Sequence, residues 1–175
     1  MASDRIITVF GSSRHGPGTA EAELAADVGA ELARHGYMLC NGGYGGTMEA
    51  AAEAAKAAGG RTIGVTCEIF AGVQRNRWID REIRTPTMYA RVEKLVEIAA
   101  AFVALPGGTG TLVELACVWE LLNKHLVAPR PLILMGDYWR PLVEIITPED
   151  PHAALCVAYA DTAADVIARL REAEV

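Results

Sequence analysis

The segments of this chain that read as strands are apolar at nearly every residue, and most are followed by a stretch with helical spacing. Strands that are apolar throughout are buried on both faces, which implies a parallel sheet covered by helices on each side. The pattern predicts strands over residues 5–11, 37–41, 62–66, 101–105, 131–135 and 153–157. It predicts helices over 20–35, 47–58, 87–98, 111–122, 139–146 and 161–171, with 67–86 irregular. Gly36 and the Gly59-Gly60 pair serve as helix stops. The expected architecture is a single α/β domain over residues 1–175. It is Rossmann-like and doubly wound, with a mostly parallel sheet and helices on both faces. Ligands of such sheets bind beyond the carboxyl ends of the strands. Three glycine-bearing loops fall at that edge: one at Gly11, Ser12 and Ser13, one from Gly42 to Gly46, and one from Pro106 to Thr111.

The third loop carries the clearest chemistry. Leu105-Pro-Gly-Gly-Thr-Gly-Thr-Leu-Val-Glu114 joins an apolar strand directly to a helix. A glycine turn at a helix start gathers bare N–H groups and the positive end of the helix dipole, a setting suited to a phosphate. Glu114, one turn inside, can act on whatever the phosphate anchors. The spacing Thr111-Leu-Val-Glu114 equally fits a capping box, in which the glutamate bonds back to the start of its own helix. Neither Gly108-x-Gly110 nor Gly43-x-Gly45 is completed by the third small residue of a dinucleotide fingerprint: Val113 and Met48 stand there. The Gly-x4-Gly-Lys-Ser/Thr triphosphate loop is absent from the sequence.

Composition narrows the classes further. The net charge of −6 argues against a broad nucleic-acid face, and no apolar run reaches the ~20 residues of a membrane helix. A soluble cytoplasmic protein is expected. Cys40, Cys67, Cys117 and Cys156 form no Cys-x-x-Cys, and the four histidines show no ligand spacing. Buried thiols are expected and no metal is implied. Arg91 reads as a surface residue or as a partner of the site. Arg75, Arg77, Arg81 and Arg84 read as a lid or as a solvated loop balanced by Asp80 and Glu82. Phe70 and Trp78 in that stretch suit either base stacking or anchorage to the core.

These residues resemble the LOG family, phosphoribohydrolases of cytokinin riboside 5′-monophosphates once misnamed lysine decarboxylases. The resemblance runs from Phe10-Gly-Ser-Ser13 through the Gly42–Met48 loop to the signature Pro-Gly-Gly-x-Gly-Thr-x-x-Glu, complete at Pro106–Glu114. The family's Met-x-x-Arg-Lys element is matched at Met88 and Arg91, with Val92 in place of the lysine. Asn41, Thr47 and Glu49 depart from the glycine-loop pattern, Val113 replaces the first glutamate of a pair, and Cys117 replaces a later helical glutamate.

The resemblance implies Glu114 and Arg91 as the catalytic pair. It implies a nucleotide site at Gly107, Gly108, Thr109, Gly110 and Thr111, with Gly11, Ser12, Ser13, Gly43, Gly45, Gly46 and Met88. It further implies a small-molecule nucleotide as substrate, no cofactor, no nucleic-acid or membrane partner, and a homodimer. The chain is also similar to molybdenum-cofactor carrier proteins, which implies binding without hydrolysis as the alternative. Pyridoxal-dependent decarboxylation needs a Schiff-base lysine, and Lys56, Lys94 and Lys124 all fall in helical or helix-end patterns.

Overall fold

The computed structural model describes residues 5–70 and 72–175. Among them, seven strands form one sheet in the order β4-β3-β2-β1-β5-β6-β7, and every neighbouring pair is parallel. The strands are β1 (Ile6–Phe10), β2 (Met38–Asn41), β3 (Thr62–Cys67), β4 (Arg81–Thr85), β5 (Ala101–Ala104), β6 (Leu132–Met135) and β7 (Ala158–Ala160). The helices are α1 (Ala20–Arg34), α2 (Thr47–Ala57), α3 (Met88–Glu97), α4 (Thr109–Asn123), α5 (Arg140–Ile146) and α6 (Ala163–Glu172). The expected α/β, Rossmann-like, doubly wound sheet is therefore present, and it is wholly parallel.

Alternate residues of the central strands feed two cores. Ile7, Val9, Leu39, Val103 and Ile133 face α1, α2 and α6, where Val28, Leu32, Ala51 and Val166 meet them. Phe10, Cys40, Phe102 and Leu134 face α3, α4 and α5, meeting Leu95, Leu115, Val118 and Val143. Phe102 is fully buried and stacks on Phe10 at 6.0 Å between ring centroids. Truncating such a side chain to alanine typically costs about 3–5 kcal/mol.

Two elements differ from the sequence pattern. Residues 81–85 form a strand inside the stretch read as irregular, because β4 is an edge that pairs only with β3 and keeps its charges largely in solvent. Charged residues on an edge strand also discourage pairing with other chains. Residues 153–156 form a 3-10 turn, and the last strand begins at Ala158. Leu155 in that turn is 80% exposed, which no buried strand residue would be. Cys156 is thus not in a strand, and Cys156 and Cys117 are only partly buried, whereas Cys40 and Cys67 are buried as expected.

The chain builds outward from β1 through β2 and β3 to β4, then crosses back through α3 to place β5 on the other side of β1. The loops after β1 and β5 diverge at that reversal, leaving a crevice at the carboxyl edge.

Candidate functional site

A cleft of about 340 Å³ opens at this reversal. Gly11, Ser12, Ser13 and Arg14 from the β1 loop line one side, with Gly108, Thr109, Gly110 and Thr111 from the start of α4 beside them. Met88 and Arg91 of α3, Glu114 of α4, Tyr44, Met48, Phe70 and Val73 complete the wall.

The start of α4 leaves its first backbone amides without a side-chain cap. Helices α1, α3 and α6 are closed by the side chains of Thr19, Thr87 and Thr162, whereas α4, like α2 and α5, starts with no side-chain cap, in its case at Gly108. The first turn carries no acidic residue. The amides of Thr109, Gly110 and Thr111 precede the first intrahelical bond, Leu112 N to Gly108 O. The helix begins at Thr109, two residues earlier than the pattern indicated, so Thr111 is not its N-cap and the capping box is not formed. Thr111 instead donates its hydroxyl to Gly11 O at 2.8 Å, tying the β5 loop to the β1 loop.

Glu114 turns to α3. Arg91 Nη1 donates to Glu114 Oε1 at 2.7 Å, and each side chain is only 7% exposed. Arg91 is therefore buried rather than on the surface. Its Nε donates to Val65 O at 2.8 Å, and its guanidinium lies 5.8 Å from the Tyr44 ring centroid. Among the described residues no buried side-chain oxygen lacks a partner, which leaves the second carboxylate oxygen of Glu114 open to the cleft that the residue lines. Burial pushes the Glu114 carboxyl above its ordinary value, while the charge and hydrogen bond of Arg91 pull against that rise.

The remaining expected residues divide. Gly43, Gly45, Gly46 and Gly107 are not in the cleft wall. Gly46 acts from beneath: its φ is +70°, and a Cβ there would collide with the Ser12 carbonyl. Thr47 receives the Ser12 amide at 2.9 Å, so that N–H is already engaged. Asn41, buried at the end of β2, bridges its loop by accepting from Gly43 N and donating to Met48 O. Those two departures from the glycine pattern are thus internal braces.

Sequence reasoning placed the loop that holds Gly42 and Tyr44 at this edge without giving either a role, and it missed Thr47, Arg14, Met48 and Val73. Arg14 and Tyr44 adjoin glycine-loop residues and were recoverable from position, whereas Val73 carries no local signal. Phe70 lies in the cleft wall and packs edge-on to Tyr44 at 5.8 Å, while Trp78 packs against the core that Ile7 and Leu39 share. Of the arginine stretch, Arg75 and Arg84 face Glu82, but Asp80 pairs with Lys56 instead. Cys40 lies beneath the ion pair with its thiol pushed up to about 12 by burial, which makes it an inert core residue.

The sequence profile of the SLOG cluster4 family matches residues 4–163. The cytokinin riboside 5′-monophosphate phosphoribohydrolase of Mycobacterium tuberculosis is 39% identical over 119 residues, 67% of this chain and 63% of that protein. The chain thus spans less than two thirds of that relative. The enzyme of the same name from Rhodococcoides fascians is 33% identical over 156 residues, 85% of this chain and 75% of its own. Among solved structures, the molybdenum cofactor carrier protein of Chlamydomonas reinhardtii superposes with a TM-score of 0.77 at 28% identity, covering 97% of each chain.

Proposed function

The chain belongs to the SLOG cluster4 family, and from that premise we propose that it hydrolyses the N-glycosidic bond of a nucleoside 5′-monophosphate. AMP or a cytokinin riboside monophosphate would be the substrate, and free base and ribose 5-phosphate the products. The observation that carries this reading is the buried Arg91–Glu114 pair on the same cleft as the uncapped glycine turn of α4. The 5′-phosphate binds the amides of Gly108, Thr109, Gly110 and Thr111, with the Thr109 hydroxyl beside them. That anchorage orients the ribose toward Glu114.

Cleavage breaks the bond between C1′ and the base nitrogen. The electron pair leaves with the base, which takes up a proton, and water adds to C1′ and gives one up. Positive charge builds on the ribose, where ionised Glu114 stabilises it and orients the attacking water. Arg91 holds the carboxylate in place and opposes its protonation.

A homodimer in the cytoplasm is part of this reading. Tyr89 (89% exposed) and Val113 (45% exposed) lie with Val92, Cys117 and Leu121 on an apolar face of α3 and α4 suited to self-association. Light scattering after size exclusion reads that state. The likeness to the Chlamydomonas carrier favours a second reading, in which the cleft holds a nucleotide-like cofactor without cleaving it. One experiment separates them. Purified protein is incubated with AMP, isopentenyladenosine monophosphate and other monophosphates, and free base is followed by chromatography. Release supports hydrolysis; no release from any of them, with a pterin or nucleotide retained through purification, supports the carrier.

A further inference from the structure

Two adjacent aromatic residues grip the phosphate turn from outside the cleft. Tyr138 and Trp139 join β6 to α5 and pack edge-to-face at 4.8 Å. Tyr138 donates its hydroxyl to Gly107 O at 2.8 Å, and Trp139 donates its indole N–H to Leu105 O at 3.0 Å. The turn is thus held by carbonyls on both sides of Pro106. Neither aromatic residue lines the cleft, nor does Gly107, whereas Gly108 does.

A trans peptide points its carbonyl and its N–H in opposite directions, and no described peptide is cis. A Gly107 carbonyl held toward Tyr138 therefore aims the Gly108 N–H the other way, to the cleft. The peptide between two glycines is otherwise cheap to rotate. In the rotated state it would present an oxygen to the incoming anion.

We propose that Tyr138 is a positioning residue that fixes the Gly107–Gly108 peptide so that the Gly108 amide donates to the substrate phosphate. This rests on the proposed function for the identity of the substrate, but the anion site can be probed with inorganic phosphate alone. Tyr138→Phe removes only the hydroxyl and keeps the ring against Trp139.

The test compares ¹⁵N-labelled wild type and Tyr138→Phe in a titration with inorganic phosphate, followed by calorimetry with AMP and adenosine. In the wild type the Gly108 amide resonance moves on phosphate addition. In the variant, affinity for phosphate and AMP falls about threefold to tenfold, the span expected for one hydrogen bond. Adenosine affinity and the melting temperature stay as in the wild type, which a general loss of structure would not allow. Equal phosphate affinity in the two proteins, an equal loss for adenosine, or a Gly108 amide unmoved by phosphate would each overturn the assignment. A Gly108 amide that responds normally in a protein releasing no base from any monophosphate leaves this inference standing and removes the hydrolase reading instead.

Discussion

The guanidinium of Arg91 occupies the space that any side chain on Gly42 would fill. A Cβ at Gly42 would collide with Arg91 Nη2 and come within 2.8 Å of Met48 Sδ. The end of β2 is therefore kept bare so that an arginine from α3 can reach under it to Glu114. Gly42→Ala is expected to push Arg91 off the carboxylate, with about 1–3 kcal/mol lost to overpacking. Thermal melting measures that cost, and base release should fall further than the stability change explains. Unchanged activity would mean that the pair tolerates displacement.

The α4 turn makes the opposite prediction for its own glycines. A Cβ on Gly108 or Gly110 would meet nothing within 4 Å, so the fold leaves room for a side chain to start at either position. It would nonetheless stand between the phosphate and the amides. Gly108→Val and Gly110→Val should melt like the wild type and lose at least tenfold in AMP affinity by calorimetry. Wild-type affinity in a folded variant would move the phosphate elsewhere.

The proposed phosphate anchorage also sets a substrate rule. A monophosphate should be cleaved far faster than its nucleoside, because binding a remote group supplies energy for orienting the sugar. Comparable kcat/KM on AMP and adenosine would contradict it.

The raised Glu114 pKa has a sign that can be checked. The folded state keeps this proton to higher pH than the unfolded chain does. Between the ordinary glutamate value and the elevated one, the native state binds more protons, so this group's contribution to stability falls as pH rises. That contribution is complete below the ordinary value and lost by the elevated one. Melting curves of wild type minus Glu114→Gln across pH 4–8 should slope downward with pH in that window. A flat difference would mean that Arg91 cancels the effect of burial. The same protonation should place the acid limb of the rate profile above the ordinary glutamate range.

The sheet was legible because its central strands are apolar through and through, and the glycine turn before α4 because its glycines sit between such a strand and a helix. The Arg91–Glu114 contact was legible through the family resemblance alone. Its partners are 23 positions apart on different helices, and the exposed, capping and catalytic readings leave the same local pattern. The edge strand β4 escaped for a related reason: with one neighbour and solvent beyond it, Arg81-Glu-Ile-Arg-Thr85 needs no apolar signature. The turn at residues 153–156 erred the other way, since apolar composition alone does not reveal that Leu155 faces solvent.

Substitution of Glu114 by glutamine tests the catalytic proposal most directly. The amide oxygen can still accept from Arg91, so the variant should fold, with about 1–3 kcal/mol lost for weakening a buried charged hydrogen bond. It cannot offer negative charge to the developing cation on the ribose. Removing one such preorganised group typically costs about 10²–10³ in turnover. The measurement is kcat for base release from AMP by folded Glu114→Gln, beside AMP affinity by calorimetry. Retained binding with turnover reduced by that factor is the expected result; wild-type turnover would contradict a catalytic Glu114 and leave it a structural partner of Arg91.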